Sequence, residues 1–422
     1  MRRQIIAKYY LPIVTIFFVA LIFITYPFTW FLRLKGRRKA ASDGKPWNIL
    51  YVIATLELGG TEFQLARLLK ALNRNQYKPF LCCTVGSGPL EEQVKELGIP
   101  IFILKKKNKF NFTVVFDIVR IIKENKIDVI HSFLFASNFW ARLAGILASA
   151  KVIIASERSA YKKPQVIIYD RILSHFTDSI ICNSEAVKQF QIETEKINPK
   201  KLDVVYNGLD VSEFDSRYEN SLKKADEYRK KLNIDKKDFV IGNICRITPE
   251  KNLELWLETA AKVAAQKKNV KFILVGGANP NIGEEVPYRN KILGMLDSLN
   301  LKNNVILTGY SHDVTQELAL MNLFFLSSKI EGFPNVVMEA MAAGKPVIAT
   351  SAGGTKELVN LETGVIIENN NPEIFSGAII ELLEDKEKME QMGKAGRKRL
   401  EEKFSAEKLA QDTVGIYKRF IK

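Results

Sequence analysis

Short apolar runs alternate with longer helical patterns along almost all of the chain after residue 46. The first series of runs is Asn48–Ala54, Phe80–Val85, Ile99–Leu104, Val129–His131, Val152–Ser156 and Ser179–Asn183. The second series is Phe239–Ile244, Lys271–Val275, Asn304–Thr308, Leu323–Ser327, Pro346–Thr350 and Gly364–Ile367. Buried strands that alternate with helices form parallel sheets covered on both faces. The pattern therefore predicts an α/β chain with two Rossmann-like halves.

The predicted join between the halves is Val204–Asp210 together with the charged stretch Ser212–Asp238. We expect an N-terminal domain over residues 46–210 and a C-terminal domain that begins at residue 211. In open parallel sheets, ligands bind at the carboxyl ends of the strands. We therefore expect the ligand site in a cleft where the carboxyl ends of the two sheets face each other.

An uncharged N-terminal segment, Tyr9–Leu32, is 24 residues long. As a helix it would span roughly 36 Å at about 1.5 Å per residue, enough to cross a bilayer. A cleaved signal peptide has an apolar core of only about 7–15 residues, so we expect an uncleaved, single-pass membrane anchor within residues 1–45. Pro12 and Pro27 leave a kinked or re-entrant helix open. The stronger basic flank follows the segment, which favours the catalytic domains on the cytoplasmic side.

The positive charge is concentrated towards the N-terminus. The net charge of +15 divides into +8 in residues 1–50, +6 in residues 51–210 and +1 in residues 211–422. This distribution suits an anionic membrane surface better than a nucleic acid, so we expect a membrane partner and no nucleic-acid partner. The cysteines lie in apolar runs without the spacing of a zinc or disulfide framework, which favours a reducing compartment. They are Cys82, Cys83, Cys182 and Cys245.

The most informative motif begins at Glu331, directly after a predicted buried strand, and reaches Glu339. Pro334 is typical of the first turn of a helix, which Gly344 would end. Glu331 is then in the loop and Glu339 on the helix. Two carboxylates so placed could hold separate hydroxyl groups of one elongated ligand, while amides at the helix start meet its phosphates.

Two further motifs follow predicted strands. Arg246 and Lys251 lie five residues apart, and two cations that converge on a cleft can neutralise a diphosphate leaving group. Gly59 and Gly60 precede an amphipathic helix, where glycine lets a ligand approach the backbone. The alternatives are a solvated loop with ordinary surface charges and an ordinary strand-to-helix turn.

Taken in order, these motifs resemble the retaining glycosyltransferases of family 4, which have the GT-B fold of two facing Rossmann-like domains. The resemblance covers about residues 48–422 and includes residues 207–210 and the tail from Phe404 to Tyr417. It implies that the C-terminal domain, residues 211–403, binds the donor, that residues 46–210 form the acceptor side, and that the final helix within 404–422 packs back on the N-terminal domain.

The resemblance also implies roles for individual residues. Arg246 and Lys251 would bind the diphosphate of a nucleotide sugar, Glu331 the sugar hydroxyls and Glu339 the ribose. The remaining implied donor contacts are Gly59, Gly60, Phe333, Pro334, Asn335 and Val336.

His131 ends a strand and matches a histidine position near the reacting centre of the family. Members often carry a second histidine two residues later, where this chain has Phe133. Ser156, Glu157 and Arg158 resemble a segment near the acceptor side. The catalytic group implied by the resemblance is therefore His131, Arg246, Lys251 and Glu331.

The implied activity is transfer of a sugar from a nucleoside-diphosphate sugar, with retained anomeric configuration and no further cofactor. The chain contains no Asp-x-Asp sequence, so we expect no metal site. The anchor favours a lipid-linked or glycan acceptor, as in polysaccharide or glycolipid biosynthesis. A nucleotide-sugar epimerase of GT-B architecture and a catalytically silent membrane-bound binding module remain alternatives.

Overall fold

The computed structural model describes residues 45–104, 113–160, 164–279 and 282–420. It divides the chain into unit 1, which ends at Tyr206 and resumes at Glu407, and unit 2, Asn207–Ala406. These divisions lie within four residues of the predicted boundaries at 210 and 403. No helix in the described ranges is long and apolar enough to cross a membrane. The predicted anchor, Tyr9–Leu32, lies outside the described residues.

Unit 1 has a sheet whose seven described strands all run parallel, in the order β3-β2-β1-β4-β5-β6-β7. The strands are β1 (Trp47–Ile53), β2 (Tyr77–Cys83), β3 (Ile101–Ile103), β4 (Val129–Phe133), β5 (Val152–Glu157), β6 (Ser179–Cys182) and β7 (Leu202–Val204). Side chains alternate across β1, so that Ile49 and Tyr51 pack in one buried cluster and Leu50 and Val52 in another. Because both faces are covered, the strands are almost continuously apolar, as is usual for parallel sheets.

Helices cover both faces of this sheet and connect its parallel strands. They are α1 (Gly60–Ala71), α2 (Glu91–Glu96), α3 (Thr113–Glu124), α4 (Phe135–Leu147), α5 (Pro164–Ser174), α6 (Glu185–Glu193) and α16 (Ala406–Phe420). The last of these belongs to unit 1 from Glu407 onward. Its buried residues Leu409, Ala410, Ile416 and Tyr417 join the same apolar cluster as Ile49 and Tyr51.

Unit 2 repeats the design with six described parallel strands in the order β10-β9-β8-β11-β12-β13. The strands are β8 (Phe239–Ile244), β9 (Val270–Val275), β10 (Val305–Gly309), β11 (Leu323–Leu326), β12 (Val347–Thr350) and β13 (Gly364–Ile367). The helices are α7 (Val211–Lys223), α8 (Ala225–Lys231), α9 (Leu253–Gln266), α10 (Glu285–Ser298), α11 (Thr315–Leu320), α12 (Asn335–Ala342), α13 (Thr355–Leu358), α14 (Pro372–Glu384) and α15 (Lys386–Lys403). The expected α/β fold with two Rossmann-like parallel sheets is confirmed.

The structure differs from the sequence prediction at the join. Leu202–Val204 forms the edge strand β7, and the charged stretch after residue 211 forms α7 and α8 of unit 2. A three-residue strand is too short to show period-2 alternation. The sequence of α7 is mainly polar, and only two of its residues, Phe214 and Ser221, are buried, so the helix has few apolar positions that could reveal it.

Candidate functional site

Three loops of unit 2 lie at the carboxyl edge of neighbouring strands β8, β11 and β12. Two hydrogen bonds connect the first two loops: Lys329 N donates to Glu250 O at 2.7 Å, and Ser327 Oγ donates to Lys251 O at 2.9 Å. Because β8 and β11 are adjacent in the sheet, residues almost 80 positions apart in sequence are brought side by side. The structure therefore places the motif that contains Arg246 and Lys251 beside the motif that begins at Glu331, although the two are far apart in the sequence.

Lys251 and Glu331 form an ion pair within this edge. Lys251 Nζ donates to Glu331 Oε1 at 2.6 Å, and the two side chains are only 20% and 11% exposed. A charge-assisted hydrogen bond shielded from water is stronger than an exposed ion pair. The structure thus brings together two of the four residues predicted to act in catalysis.

Arg246 lies at the same edge but pairs with another carboxylate. Its Nη1 donates to Glu285 Oε1 at 3.1 Å, while Glu285 Oε2 accepts from Asn279 N at 2.6 Å. Arg246 is 67% exposed and Glu285 is 3% exposed. The guanidinium is therefore accessible to a ligand yet held at one point by a buried anion.

The Glu331 loop, residues 331–335, leads into α12. The helix begins at Asn335 with Pro334 as its N-cap, and Val337 N donates to Pro334 O at 3.2 Å. Asn335 and Val336 are half-buried, and Glu339 lies one turn further, four residues after Asn335. The predicted donor contacts Asn335, Val336 and Glu339 are consequently placed on the first turns of one short helix.

Gly353, in the loop after β12, packs directly against the backbone of the Glu331 loop. A Cβ atom there would lie 1.8 Å from the Glu331 carbonyl oxygen, and the residue has φ of +51°. Gly354 N also donates to Gly332 O at 3.0 Å. Sequence reasoning missed this contact, although the glycine pair 353–354, which begins three residues after the end of β12, was a usable signal.

A cavity of about 400 Å³ opens beside Arg246 and was also missed. It is lined by Cys245, Arg246, Val275, Gly276, Gly277, Ala278, Asn279, Tyr310 and Ser311. Gly276 has φ of +130°, and a Cβ atom there would meet the Cys245 carbonyl oxygen at 1.8 Å. Burial raises the pKa of the Cys245 thiol to about 12, so the thiol is protonated and is not a nucleophile at neutral pH.

Gly59 and Gly60 lie in unit 1, at the start of α1. Gly59 is the N-cap with φ of −110° and ψ of 158°, an extended conformation open to any residue. A Cβ atom there would lie 2.2 Å from Glu62 Oε2, the mobile end of a side chain. The backbone conformation at position 59 therefore does not itself require glycine, and the donor role of both glycines stays a prediction.

His131 is buried inside unit 1, with 1% of its surface exposed. Its Nδ1 lies 2.6 Å from Tyr417 Oη and its Nε2 lies 2.8 Å from Ser156 Oγ. Burial, and secondarily the charge of Arg158, lowers the pKa of His131 well below its ordinary value. The ring is thus neutral at physiological pH and joins β4, β5 and α16, while its role in catalysis stays a prediction.

Phe133, at the position where the family often has a second histidine, packs beside His131. The two ring centroids lie 4.5 Å apart, and the Arg158 guanidinium lies 5.3 Å from the Phe133 centroid. Burial lowers the pKa of Arg158 to about 10, so it remains charged at neutral pH. Phe133 supplies an aromatic contact for this cation where a histidine would carry a titratable group.

Comparison with known families gives two adjacent matches. Residues 58–213 match the family described as "Glycosyltransferase Family 4", and residues 224–399 match "Glycosyl transferases group 1". The two matches follow the division into units 1 and 2 closely.

Two curated relatives match most of the chain. The Escherichia coli UDP-Gal:alpha-D-GlcNAc-diphosphoundecaprenol alpha-1,3-galactosyltransferase is 24% identical over 78% of this chain and 86% of that protein. The Campylobacter jejuni N-acetylgalactosamine-N,N'-diacetylbacillosaminyl-diphospho-undecaprenol 4-alpha-N-acetylgalactosaminyltransferase is 25% identical over 79% of this chain and 84% of its own length.

Among solved structures, Anabaena HepE in complex with UDP and glucose superposes with a TM-score of 0.75. It is 20% identical in sequence, and the match covers 88% of this chain and 99% of that chain. At this identity the likeness shows the fold.

Proposed function

Because the chain belongs to the family 4 glycosyltransferases, we propose that it transfers a sugar from a nucleoside-diphosphate sugar to a lipid-linked or glycan acceptor. The observation that carries the proposal is the shielded Lys251–Glu331 pair beside the first turn of α12. The two curated relatives are named as transferases that act on undecaprenol-diphosphate acceptors. Their names favour transfer over the epimerase and the silent binding module.

Donor binding is assigned to the carboxyl edge of unit 2. Lys251 and the accessible guanidinium of Arg246 would hold the diphosphate, with amides at the start of α12 as further donors. Glu331 would accept from sugar hydroxyls and Glu339 from the ribose. The 400 Å³ cavity beside Arg246 is lined mainly by small and apolar residues together with Tyr310, which suits a nucleobase. The bound UDP of the Anabaena structure supports a uridine nucleotide as the first candidate.

The proposed reaction retains the anomeric configuration. The acceptor hydroxyl oxygen forms a bond to the anomeric carbon while the bond from that carbon to the phosphate oxygen breaks. The leaving phosphate takes the hydroxyl proton on the same face of the sugar, and the nucleoside diphosphate departs. Lys251 and Arg246 stabilise the negative charge that develops on the phosphate, the task that a metal ion performs in other transferases.

We place the protein at a membrane, with the two units on the cytoplasmic side. Tyr9–Leu32 and the basic residues after it support this proposal, since an anchor would keep the enzyme beside a lipid-linked acceptor. The proposed role is therefore a step in polysaccharide or glycolipid assembly.

A panel of nucleotide sugars tests the function on the full chain in detergent. Binding and slow donor hydrolysis are recorded for wild type, Arg246→Ala and Glu331→Ala. We expect one donor to be selected, with binding weakened in both variants and hydrolysis unaffected by a chelator. An isomerised donor would favour the epimerase, and binding of no donor by folded protein would overturn the proposal.

Product analysis tests the stereochemistry. With the selected donor and an undecaprenol-diphosphate sugar as acceptor, the anomeric proton coupling in the NMR spectrum should show the donor's configuration preserved. An inverted product, or complete loss of activity on chelation, would contradict the proposed mechanism.

A further inference from the structure

Asn207, the first residue of unit 2, is in direct contact with the Glu331 loop. Its side chain is 4% exposed, and its Nδ2 donates to Phe333 O at 3.2 Å and to Asn335 Oδ1 at 2.7 Å. The two acceptors lie on either side of Pro334, so one amide group holds both ends of the turn that starts α12. We propose that Asn207 is a positioning residue for donor binding, an inference that rests on the function proposed above.

The contact connects the loop to the place where the chain enters unit 2. We call residues 206–209 the outgoing crossing and residues 404–407 the return crossing. Leu209 N donates to Phe404 O and Ala406 N donates to Leu209 O, both at 2.9 Å, so the two crossings form a short parallel bridge. At Gly208 a Cβ atom would lie 2.5 Å from the Ser405 carbonyl oxygen, which leaves no room for a side chain.

The return crossing also touches the Glu331 loop. The Phe333 and Phe404 rings are 5.5 Å apart, and both residues are at most 5% exposed. The Arg399 guanidinium lies 5.6 Å from the centroid of the Phe404 ring. The loop is therefore held both by a hydrogen-bonded amide and by an aromatic contact.

The contacts of Asn207 and Phe404 are relevant to ligand binding because they hold the backbone of the Glu331 loop, and that backbone sets the orientation of the loop's amides and side chains. Asn335 is both the acceptor for Asn207 and the first residue of α12, whose amides are assigned to the phosphates. Loss of the Asn207 amide would free the turn at Pro334 and spread these amides over several orientations. Preorganised donors bind an anion more tightly than donors that must be ordered on binding. We therefore expect weaker binding of the diphosphate and unchanged binding of the nucleobase, because the cavity proposed for the base is lined by other loops.

Binding of nucleoside diphosphates and matching nucleosides to the full chain in detergent tests the inference. The probes are UDP, GDP, ADP and TDP with uridine, guanosine, adenosine and thymidine, measured by ligand-observed NMR and calorimetry. For the base that wild type selects, we expect Asn207→Ala to raise the Kd of the diphosphate about tenfold and that of the nucleoside less than twofold. Asn335→Ala removes only the hydrogen bond at 2.7 Å and should change the two Kd values in the same direction. The double variant should be little worse than Asn207→Ala, because Asn207→Ala already removes both hydrogen bonds.

A matched control is Asn322→Ala. Asn322 is half-buried at the opposite, amino edge of the same sheet, and its Oδ1 accepts from Val240 N at 2.8 Å. The variant loses one side-chain hydrogen bond, as Asn335→Ala does, and should leave both Kd values within twofold of wild type.

Three outcomes would count against the inference. If Asn207→Ala binds the diphosphate within twofold of wild type while Arg246→Ala weakens it, the inference fails and the proposed function stands. If Asn207→Ala weakens nucleoside and diphosphate equally, the residue merely stabilises unit 2, and the inference fails. If wild type binds none of the diphosphates, both the inference and the proposed function fail.

Discussion

At the scale of single residues, burial decides what an ionisable group does in this protein. His131 and Lys251 both belong to the predicted catalytic group, but the first is 1% exposed and the second 20%. His131 is held by two hydroxyl groups, whereas Lys251 keeps a carboxylate partner at an edge that a ligand can approach. The residue type predicts a catalytic role for both. Their surroundings differ, because His131 is buried in the core of unit 1 whereas Lys251 lies at an accessible edge of unit 2.

The stability of unit 1 should fall as the pH falls below about 6.5. Folded His131 stays neutral, because its pKa is lowered well below the ordinary value, whereas in the unfolded chain it takes up a proton near pH 6.5. The unfolded state then binds more protons, so stability is complete above that pH and is lost below it, by at most about 1.4 kcal/mol per pH unit.

Urea unfolding between pH 7 and pH 5 measures this dependence. His131→Gln should show a shallower pH slope than wild type, whatever its absolute stability. The control His175→Gln, at an exposed position, should retain the wild-type slope. Equal slopes for wild type and His131→Gln would refute the neutral-histidine assignment.

Lys251→Ala should weaken binding of the nucleoside diphosphate by about ten- to a hundredfold. A hydrogen bond to a charged group contributes about 1.5–3 kcal/mol, and the variant also leaves Glu331 without this cation. Calorimetric titration measures the change. The control Lys388→Ala breaks an exposed pair with Glu381, also at 2.6 Å, and should leave binding unaltered. Equal binding by Lys251→Ala and wild type would remove Lys251 from the site.

At the scale of elements, the two crossings of the chain share one narrow contact. The outgoing crossing passes the return crossing so closely that only glycine fits at residue 208. Helix α16 then continues from the return crossing into unit 1, where the Tyr417 hydroxyl reaches the His131 ring. A short motif at residues 207–210 thus serves packing as well as the site.

Gly208→Ala should destabilise the protein by about 1–3 kcal/mol, because the new methyl group meets backbone atoms that can move only with the chain. Thermal and urea unfolding measure the loss. Gly294→Ala is the matched control, since Gly294 is exposed within α10 and a Cβ atom there meets nothing within 4 Å. It should stabilise by about 0.5–1 kcal/mol, as expected for glycine to alanine in a helix. If Gly208→Ala were as stable as wild type, the two crossings would have to move apart at little cost to make room for the methyl group.

At the scale of the whole molecule, positive charge is concentrated towards the N-terminal end of the sequence. The first 50 residues carry +8 of the net +15, and they include the uncharged segment Tyr9–Leu32. A membrane anchor followed by basic residues is the physical arrangement that this composition favours.

Deletion of residues 9–32 should release the protein from membranes without altering its affinity for the nucleotide donor. Sedimentation with membranes after an alkaline wash measures attachment, and the full chain is the reference. Attachment of the deleted form as firm as that of the full chain would show that another part of the protein binds the membrane.

Much of the fold could be predicted because the apolar periodicity is strong. The runs at residues 239–244 and 364–367 coincide with β8 and β13, and the others differ from observed strands by a few residues at their ends. The sequence does not predict strand β7, since three residues carry too little pattern. It indicates only a charged stretch at the join where the structure has the helices α7 and α8, because their sequence is mainly polar.

The sequence by itself determined the parallel α/β architecture, the family and the identity of the polar residues at strand ends, because each depends on local patterns of a few residues. Only the tertiary structure decided that Lys251 pairs with Glu331, that Arg246 pairs with buried Glu285, and that Asn207 holds the Glu331 loop. These partners lie 39 to 128 residues apart along the chain. The first two pairs meet because neighbouring parallel strands bring their carboxyl ends to one edge, and strand order is a property of the folded sheet. Asn207 reaches the loop from the place where the chain enters unit 2, next to the return crossing.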